Sequence, residues 1–227
     1  PSTSEVYGMC PDAEFNEQTS SLVLGPIHKQ RWIYSCSKQM MDRVIYAYGE
    51  HNDLDYTLFR PFNWLGPKLD RLDKAPGSSS RAVTQFISNI LYHGEIKLVD
   101  NGEQRRAFTY IDDGIDALMK IIDNKGGIAS KKIFNIGNPD NDISIRQLAE
   151  KLVALMKEYP NYRHLAEAAK ITSTSAQDYY GTGYQDVGFR VPSIKAAKEI
   201  LNWSPKTDLE TALRQTLDYH LSDKAAA

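Results

Sequence analysis

The sequence predicts an α/β fold with a mostly parallel sheet, on three observations. Short runs rich in β-branched and aromatic residues alternate with helical repeats along the chain. The strand-like runs stop at Pro or Gly, as Tyr56-Thr57-Leu58-Phe59 stops at Pro61 and Ile133-Phe134-Asn135-Ile136 at Gly137. Between them, apolar residues recur at helical spacing, and no internal repeat interrupts the alternation.

Taken in order, Val6-Tyr7-Gly8 reads as the end of a strand running into a turn. Because so little precedes it, a truncated N-terminus is expected. A helix is predicted over Tyr34 to Tyr48, with Met41, Val44, Ile45 and Tyr48 on its apolar face. The strand at Tyr56 follows, then a polar loop from Pro67 to Ser80. The next helix carries Val83, Phe86, Ile87, Ile90 and Leu91. Ile96 to Val99 and Ala107 to Tyr110 read as two strands around the Asp100-Asn101-Gly102 turn. Ile111, Ile115, Leu118, Met119 and Ile122 mark another amphipathic helix.

Ser144 with Gln147 forms a capping box, opening a helix that buries Ile145, Leu148, Leu152 and Leu155. Tyr159 to Arg190 has weak periodicity and reads as one long irregular loop, a length usually kept for function. Ser193 is the expected cap of a helix through Ile200-Leu201. Thr207 with Glu210 reads as a second capping box, before the stripe Leu209, Leu213, Leu217 and Leu221. The Ala225-Ala226-Ala227 tail is expected to fray.

Bulk properties exclude several classes. The 227 residues are 41% apolar and 25% charged, ordinary for a globular protein. A net charge of −2 gives no electrostatic case for nucleic acid or an anionic membrane. No apolar run approaches the roughly 18–20 residues of a membrane span, and the polar start Pro1-Ser2-Thr3-Ser4-Glu5 is unlike a signal peptide. Cys10 and Cys36 stand at no metal-ligand spacing. A reducing cytoplasm is the default location.

Two elements carry chemistry. Tyr34-Ser35-Cys36-Ser37-Lys38 places a phenol and an ammonium one helical turn apart on one face. A tyrosine with its ordinary pKa of about 10 is a poor base, and a nearby cation favours its ionised form. Such a pair can deprotonate an alcohol as a hydride leaves, although most Tyr-x-x-x-Lys matches are solvated helix faces. Upstream, Ser2-Thr3-Ser4-Glu5 sets three hydroxyls and a carboxylate where open α/β sheets place their ligands. The order of the two elements favours the functional reading.

With Phe59-Arg60-Pro61-Phe62-Asn63-Trp64-Leu65-Gly66-Pro67, these motifs resemble the extended short-chain dehydrogenase/reductase family, which acts on nucleotide sugars with bound NAD. The resemblance implies that Thr3 contacts the reacting alcohol, that Tyr34 is the base, and that Lys38 also holds the nicotinamide ribose. Sugar dehydratases of the family carry Asp-Glu after this threonine. Ser4-Glu5 is similar to the UDP-glucuronate decarboxylases, and a serine is a far weaker acid for eliminating water.

Further stretches resemble the decarboxylase domains of bifunctional polymyxin-resistance proteins across essentially the whole chain. They are Arg31 to Ser35, Phe62 to Trp64, Gly77 to Arg81, Asn135 to Pro139, and Tyr179 to Val187. The resemblance implies Arg190 beside the substrate carboxylate, with Val191 in place of a usual lysine. It implies Arg31, Asn63, Arg81, Lys97, Arg106 and Tyr184 on the UDP-sugar. For any one of the basic residues taken alone, a solvated surface charge is the simpler account.

The implied fold is the C-terminal part of a Rossmann-like doubly wound sheet with a smaller substrate-binding lobe. Residues 1–66 and 107–138 would form the Rossmann side, and 67–106 and 139–222 the UDP-sugar lobe. The family's Gly-x-x-Gly-x-x-Gly turn for pyrophosphate is absent from this sequence, so the N-terminal dinucleotide-binding βαβ units are expected to be missing and these residues alone inactive. The implied reaction is oxidative decarboxylation of UDP-glucuronate to UDP-4-keto-pentose, in the lipid A aminoarabinose pathway. The implied partners are UDP-glucuronate, further copies in a homo-oligomer, and a fused formyltransferase domain. Two alternatives stand beside it: a UDP-xylose synthase or other UDP-sugar epimerase, and a non-catalytic nucleotide-sugar-binding remnant.

Overall fold

A computed structural model describes residues 1–72 and 80–222. Gly77-Ser78-Ser79 of the loop motif and the alanine tail lie outside them. The elements run α1 (Trp32–His51), β1 (Thr57–Pro61), β2 (Trp64–Leu65), α2 (Ala82–Tyr92), β3 (Glu95–Val99), β4 (Arg105–Ala107), β5 (Thr109–Tyr110), α3 (Ile111–Asp123) and β6 (Lys132–Ile136). They continue β7 (Asp142–Ser144), α4 (Ile145–Met156), α5 (Arg163–Ala168), β8 (Lys170–Thr174), α6 (Ala176–Tyr180), α7 (Lys195–Leu201) and α8 (Leu209–Leu221). The chain is α/β, with strands β1 and β6, β2 and β5, and β3 and β8 paired in parallel, and β4 antiparallel to β7.

The β1–β6 pair organises one half, with Phe59 opposite Phe134 and Arg60 opposite Asn135. Successive side chains on a strand point to opposite faces. Phe59, Phe134 and Ile136 therefore meet Ala117, Ile194, Ala197, Leu201 and Trp203, while Arg60 and Asn135 face Tyr7. A larger core unites α2, α4 and α8 through Ile87, Ile90, Leu148, Leu152, Leu213 and Leu217. Residues 194–203 thus pack on the β1–β6 side, although the expected division puts them with the other lobe.

Several local expectations are corrected. Ser4–Tyr7 is a 3-10 turn rather than a strand end, because the Thr3 hydroxyl accepts the Glu5 N–H and Gly8 closes the turn at φ 57°. The Asp100-Asn101-Gly102 turn makes no hairpin. Its residues take positive φ in succession (45°, 61° and 70°), sending β3 to pair with β8. The long loop expected after Tyr159 contains α5, β8 and α6. Ser193 does not cap α7, whose flanking residue is Ile194. Asp208, not Thr207, caps α8 by accepting the Thr211 N–H. Thr207 instead donates its N–H to Asp113. The Ser144–Gln147 capping box is present as expected.

The largest difference is which face of α1 is buried. Trp32, Ser35, Gln39, Asp42 and Gly49 point inward, while Val44 and Tyr48 are exposed. Two of the buried polar groups are held by hydrogen bonds: Gln39 donates to the Val6 carbonyl at 2.8 Å, and Asp42 accepts from Ser2 at 2.7 Å and Arg60 at 3.2 Å. Helix α3 behaves likewise, exposing Ile115, Met119 and Ile122 and burying Asp113, Gly114 and Ala117.

Removing one partner of a buried ion pair strands the other charge, at about 3–5 kcal/mol. Asp42→Ala is expected to destabilise the protein by about that amount, because the Arg60 side chain is only 4% exposed. The paired replacement Asp42→Leu with Arg60→Met is expected to cost much less. Denaturant unfolding of the single and double variants checks this.

Candidate active site

The site is built where the Ser4–Tyr7 turn, the start of α1 and residues 181–190 meet. Arg31 has helical backbone angles just ahead of α1, so Tyr34 lies three residues on and shares its face. The segment after α6 is strapped to this helix start in parallel register. Lys29 donates to the Thr182 carbonyl at 2.8 Å, Arg31 to the Tyr184 hydroxyl at 2.5 Å, and Trp32 to Gln185 at 2.9 Å. The last bond needs Gly25, where any Cβ would lie 2.2 Å from the Gln185 oxygen and 2.3 Å from the Trp32 nitrogen.

Between these elements lies a cleft of about 330 Å³, lined by Glu5, Arg31, Asn63, Lys97, Arg106, Tyr184 and Arg190 among others. Arg190 donates to Glu5 at 2.5 Å, and Arg31 reaches both Glu5 oxygens at 3.2 and 3.4 Å. Asp186 pairs with Arg106 at 3.0 Å and Arg31 at 3.5 Å. With Lys97, the cationic groups outnumber the two carboxylates, so the lining favours an anionic ligand.

Burial pushes Glu5 upward, but the charges of Arg190 and Arg31 outweigh it and hold its carboxyl below the ordinary range. Burial, with the like charge of Arg190, lowers Arg106 to about 10. Burial and the Asp186 charge raise Tyr184.

Seven of the sequence-predicted residues thus share one cleft. Thr3 and Ser4 are buried on the turn that carries Glu5. Tyr34 and Lys38 are on the adjoining helix and outside the cleft lining. Arg81 is set apart: it bonds Asp70 at 2.8 Å and the Leu69 carbonyl at 3.2 Å, its side chain 51% exposed. It lines a smaller neighbouring cavity with Asn63 and Arg106. Asn63 donates to the Ala107 carbonyl at 3.0 Å. Sequence reasoning missed Asp186, Gln85, Tyr179 and Tyr180 in the lining. Its available signal was a carboxylate, Asp186, in a tyrosine-rich run four residues before Arg190.

The open end of Tyr34 suits a cofactor. The tyrosine side is 51% exposed, and Lys38 contacts the Pro1 carbonyl at 3.2 Å. The exposed phenol and the Lys38 ammonium are hydrogen-bond donors of the kind a ribose hydroxyl accepts.

The Glu5 pair yields a pH test. A carboxylate lowered in the folded state stabilises the fold above its unfolded pKa, about 4.5, and this is lost as pH falls through the folded value. Glu5→Gln should therefore be less stable than the unmodified protein near neutrality, with the gap narrowing in acid. Thermal midpoints of both across this range check it.

The model of the NAD dependent epimerase/dehydratase family matches residues 1–137. The crystal structure of PbgP3 from Burkholderia pseudomallei is 49% identical over 100% of this chain and 64% of that one, with a TM-score of 0.86. A UDP-glucose 4-epimerase from Thermotoga maritima, solved with UDP-glucose, is 23% identical over 96% of this chain and 61% of that one, with a TM-score of 0.73. A dTDP-glucose 4,6-dehydratase from Bacillus anthracis, solved with NAD, is 19% identical over 99% and 61%, with a TM-score of 0.75. The last two carry the fold alone. The chain spans less than two thirds of the length of these proteins. From the family match and the PbgP3 likeness, this chain belongs to the NAD dependent epimerase/dehydratase family, whose cofactor is NAD.

Proposed function

We propose that the whole protein carries out NAD-dependent oxidative decarboxylation of UDP-glucuronate to UDP-4-keto-pentose, in the cytoplasm. The observation that carries this reading is the buried Arg190 at the cleft, already holding a carboxylate, that of Glu5. Its geometry suits a sugar bearing a carboxylate, and the cationic lining suits a diphosphate. Residues 1–66 and 107–138, with 194–203 packed on them, are read as the side carrying Tyr34 and Lys38, and the UDP-sugar lobe as 67–106 with the rest of 139–222.

When bound, NAD supplies the hydride acceptor, and Tyr34 and Lys38 would hold its nicotinamide ribose. Tyr34 takes the proton of the sugar C4 hydroxyl as that carbon is oxidised. Thr3 and Lys38 stabilise the negative charge that develops there. The resulting ketone lies β to the carboxylate. The bond from C5 to the carboxyl carbon then breaks, its electron pair moves toward the ketone oxygen, and carbon dioxide leaves. Ser4, Glu5 and Arg190 orient the carboxylate and support reprotonation at C5. Arg31, Asn63, Lys97, Arg106 and Tyr184 bind the nucleotide. Arg81 joins them only by leaving Asp70.

In the full-length protein, Tyr34→Phe is expected to abolish NADH formation while leaving UDP-sugar affinity nearly intact. Normal turnover would remove Tyr34 as the base. Product analysis separates this reading from a xylose synthase, which would release UDP-xylose and no net NADH.

Arg190→Met tests the carboxylate assignment. A hydrogen bond to a charged group contributes about 1.5–3 kcal/mol, so preference for UDP-glucuronate over UDP-glucose should fall roughly tenfold or more. Competitive binding of both sugars measures it, and an unchanged ratio would overturn the assignment.

A further inference from the structure

Arg190 holds a carboxylate of the protein itself, that of Glu5. Glu5 occupies the guanidinium that the acidic sugar requires. We propose that Glu5 takes up a proton when the sugar carboxylate displaces it from Arg190, so that the cleft admits its acid by exchanging one carboxylate for another. This rests on the decarboxylase reading above and adds a specificity role for Glu5.

The charges around Glu5 support the exchange. Arg190 faces it from the segment before α7, Arg31 from the start of α1, and Arg106 from β4. Arg106 is already paired with Asp186, and Arg31 is shared among Glu5, Asp186 and the Tyr184 hydroxyl. An incoming carboxylate at Arg190 neutralises the nearest cation and adds a like charge beside Glu5. What remains to Glu5 is the longer contact to Arg31, at 3.2 and 3.4 Å.

Burial is the largest single influence on Glu5 and acts against its charge. With Arg190 neutralised, burial prevails and the protonated form is favoured. A neutral sugar lacks the competing charge. It leaves the Glu5–Arg190 pair standing and binds with no proton uptake. The diphosphate, common to both sugars, does not titrate in this range, and no histidine lines the cleft among the described residues.

The test is calorimetry on the full-length protein carrying Tyr34→Phe, which blocks turnover, in buffers of different ionisation enthalpy. UDP-glucuronate and UDP-glucose, whose diphosphates are both esterified at each end, are titrated between about pH 5 and 6.5, above the ordinary carboxylate pKa. UDP-glucuronate should take up a proton approaching one equivalent, and its affinity should fall by up to about tenfold per pH unit as pH rises. UDP-glucose should take up none. Adding Glu5→Gln should abolish the uptake. Should that variant fail to fold, the comparison of the two sugars on the Glu5 protein decides alone.

Equal uptake with UDP-glucose would overturn the proposal, since the proton would then follow the diphosphate. Preference for the acid without uptake would overturn it while leaving the decarboxylase reading standing, because Glu5 would have stayed ionised on Arg31. Loss of both preference and uptake would overturn both.

Discussion

The buried guanidinium of Arg60 fixes the geometry on which the rest of this structure depends. It sits between the β1–β6 sheet and helix α1, donating to Asp42 at 3.2 Å and to the Tyr7 hydroxyl at 3.0 Å. Tyr7 passes the connection to Asn135 at 2.8 Å, and Asn135 binds the Phe15 carbonyl and Glu17. Ser2 joins from the other side through Asp42. One charge therefore ties together helix α1, the Ser4–Tyr7 turn and the sheet. Leaving any of these groups buried without a partner is expensive, so their relative placement is narrowly set. Burial raises the Tyr7 phenol to about 12, which keeps it a neutral donor to Asn135.

That placement carries over to the cleft. The turn presents Glu5, the helix start presents Arg31, and the strap from Thr182 to Gln185 brings Tyr184, Asp186 and Arg190 to meet them. The ion pairs are only partly exposed, so water screens them less than surface pairs. An anionic ligand must compete with the resident carboxylates for the same guanidiniums. Selectivity in such a site comes from which pairs a ligand replaces as well as from those it forms.

Helices α1 and α3 show how far periodicity can be trusted. Their apolar spacing announces helices, and both helices are present. It does not announce which face packs inward, since both bury polar or small residues and expose Val44, Tyr48, Ile115, Met119 and Ile122. On α1 the inward face carries Ser35, Gln39 and Asp42, and the last two are satisfied by partners far away in sequence. A hydropathy pattern has no access to those partners.

The sequence by itself determined the α/β class, the β1 and β6 strands, the capping box at Ser144, the apolar stripe of α8 and the family. These rest on local signals: spacing, side-chain shape, caps and contiguous motifs. Only the tertiary structure decided the rest. β3 pairs with β8 across more than seventy residues because consecutive positive-φ residues turn the chain away from a hairpin. Asp208 caps α8, which begins at Leu209, while the Thr207 N–H is engaged with Asp113. Arg31, Arg106 and Arg190, scattered along the chain, converge on Glu5 and Asp186, while Arg81 is held away by Asp70. The physical reason is the same in each case: a charged or hydrogen-bonding group goes where its partner is, and that partner is distant in sequence.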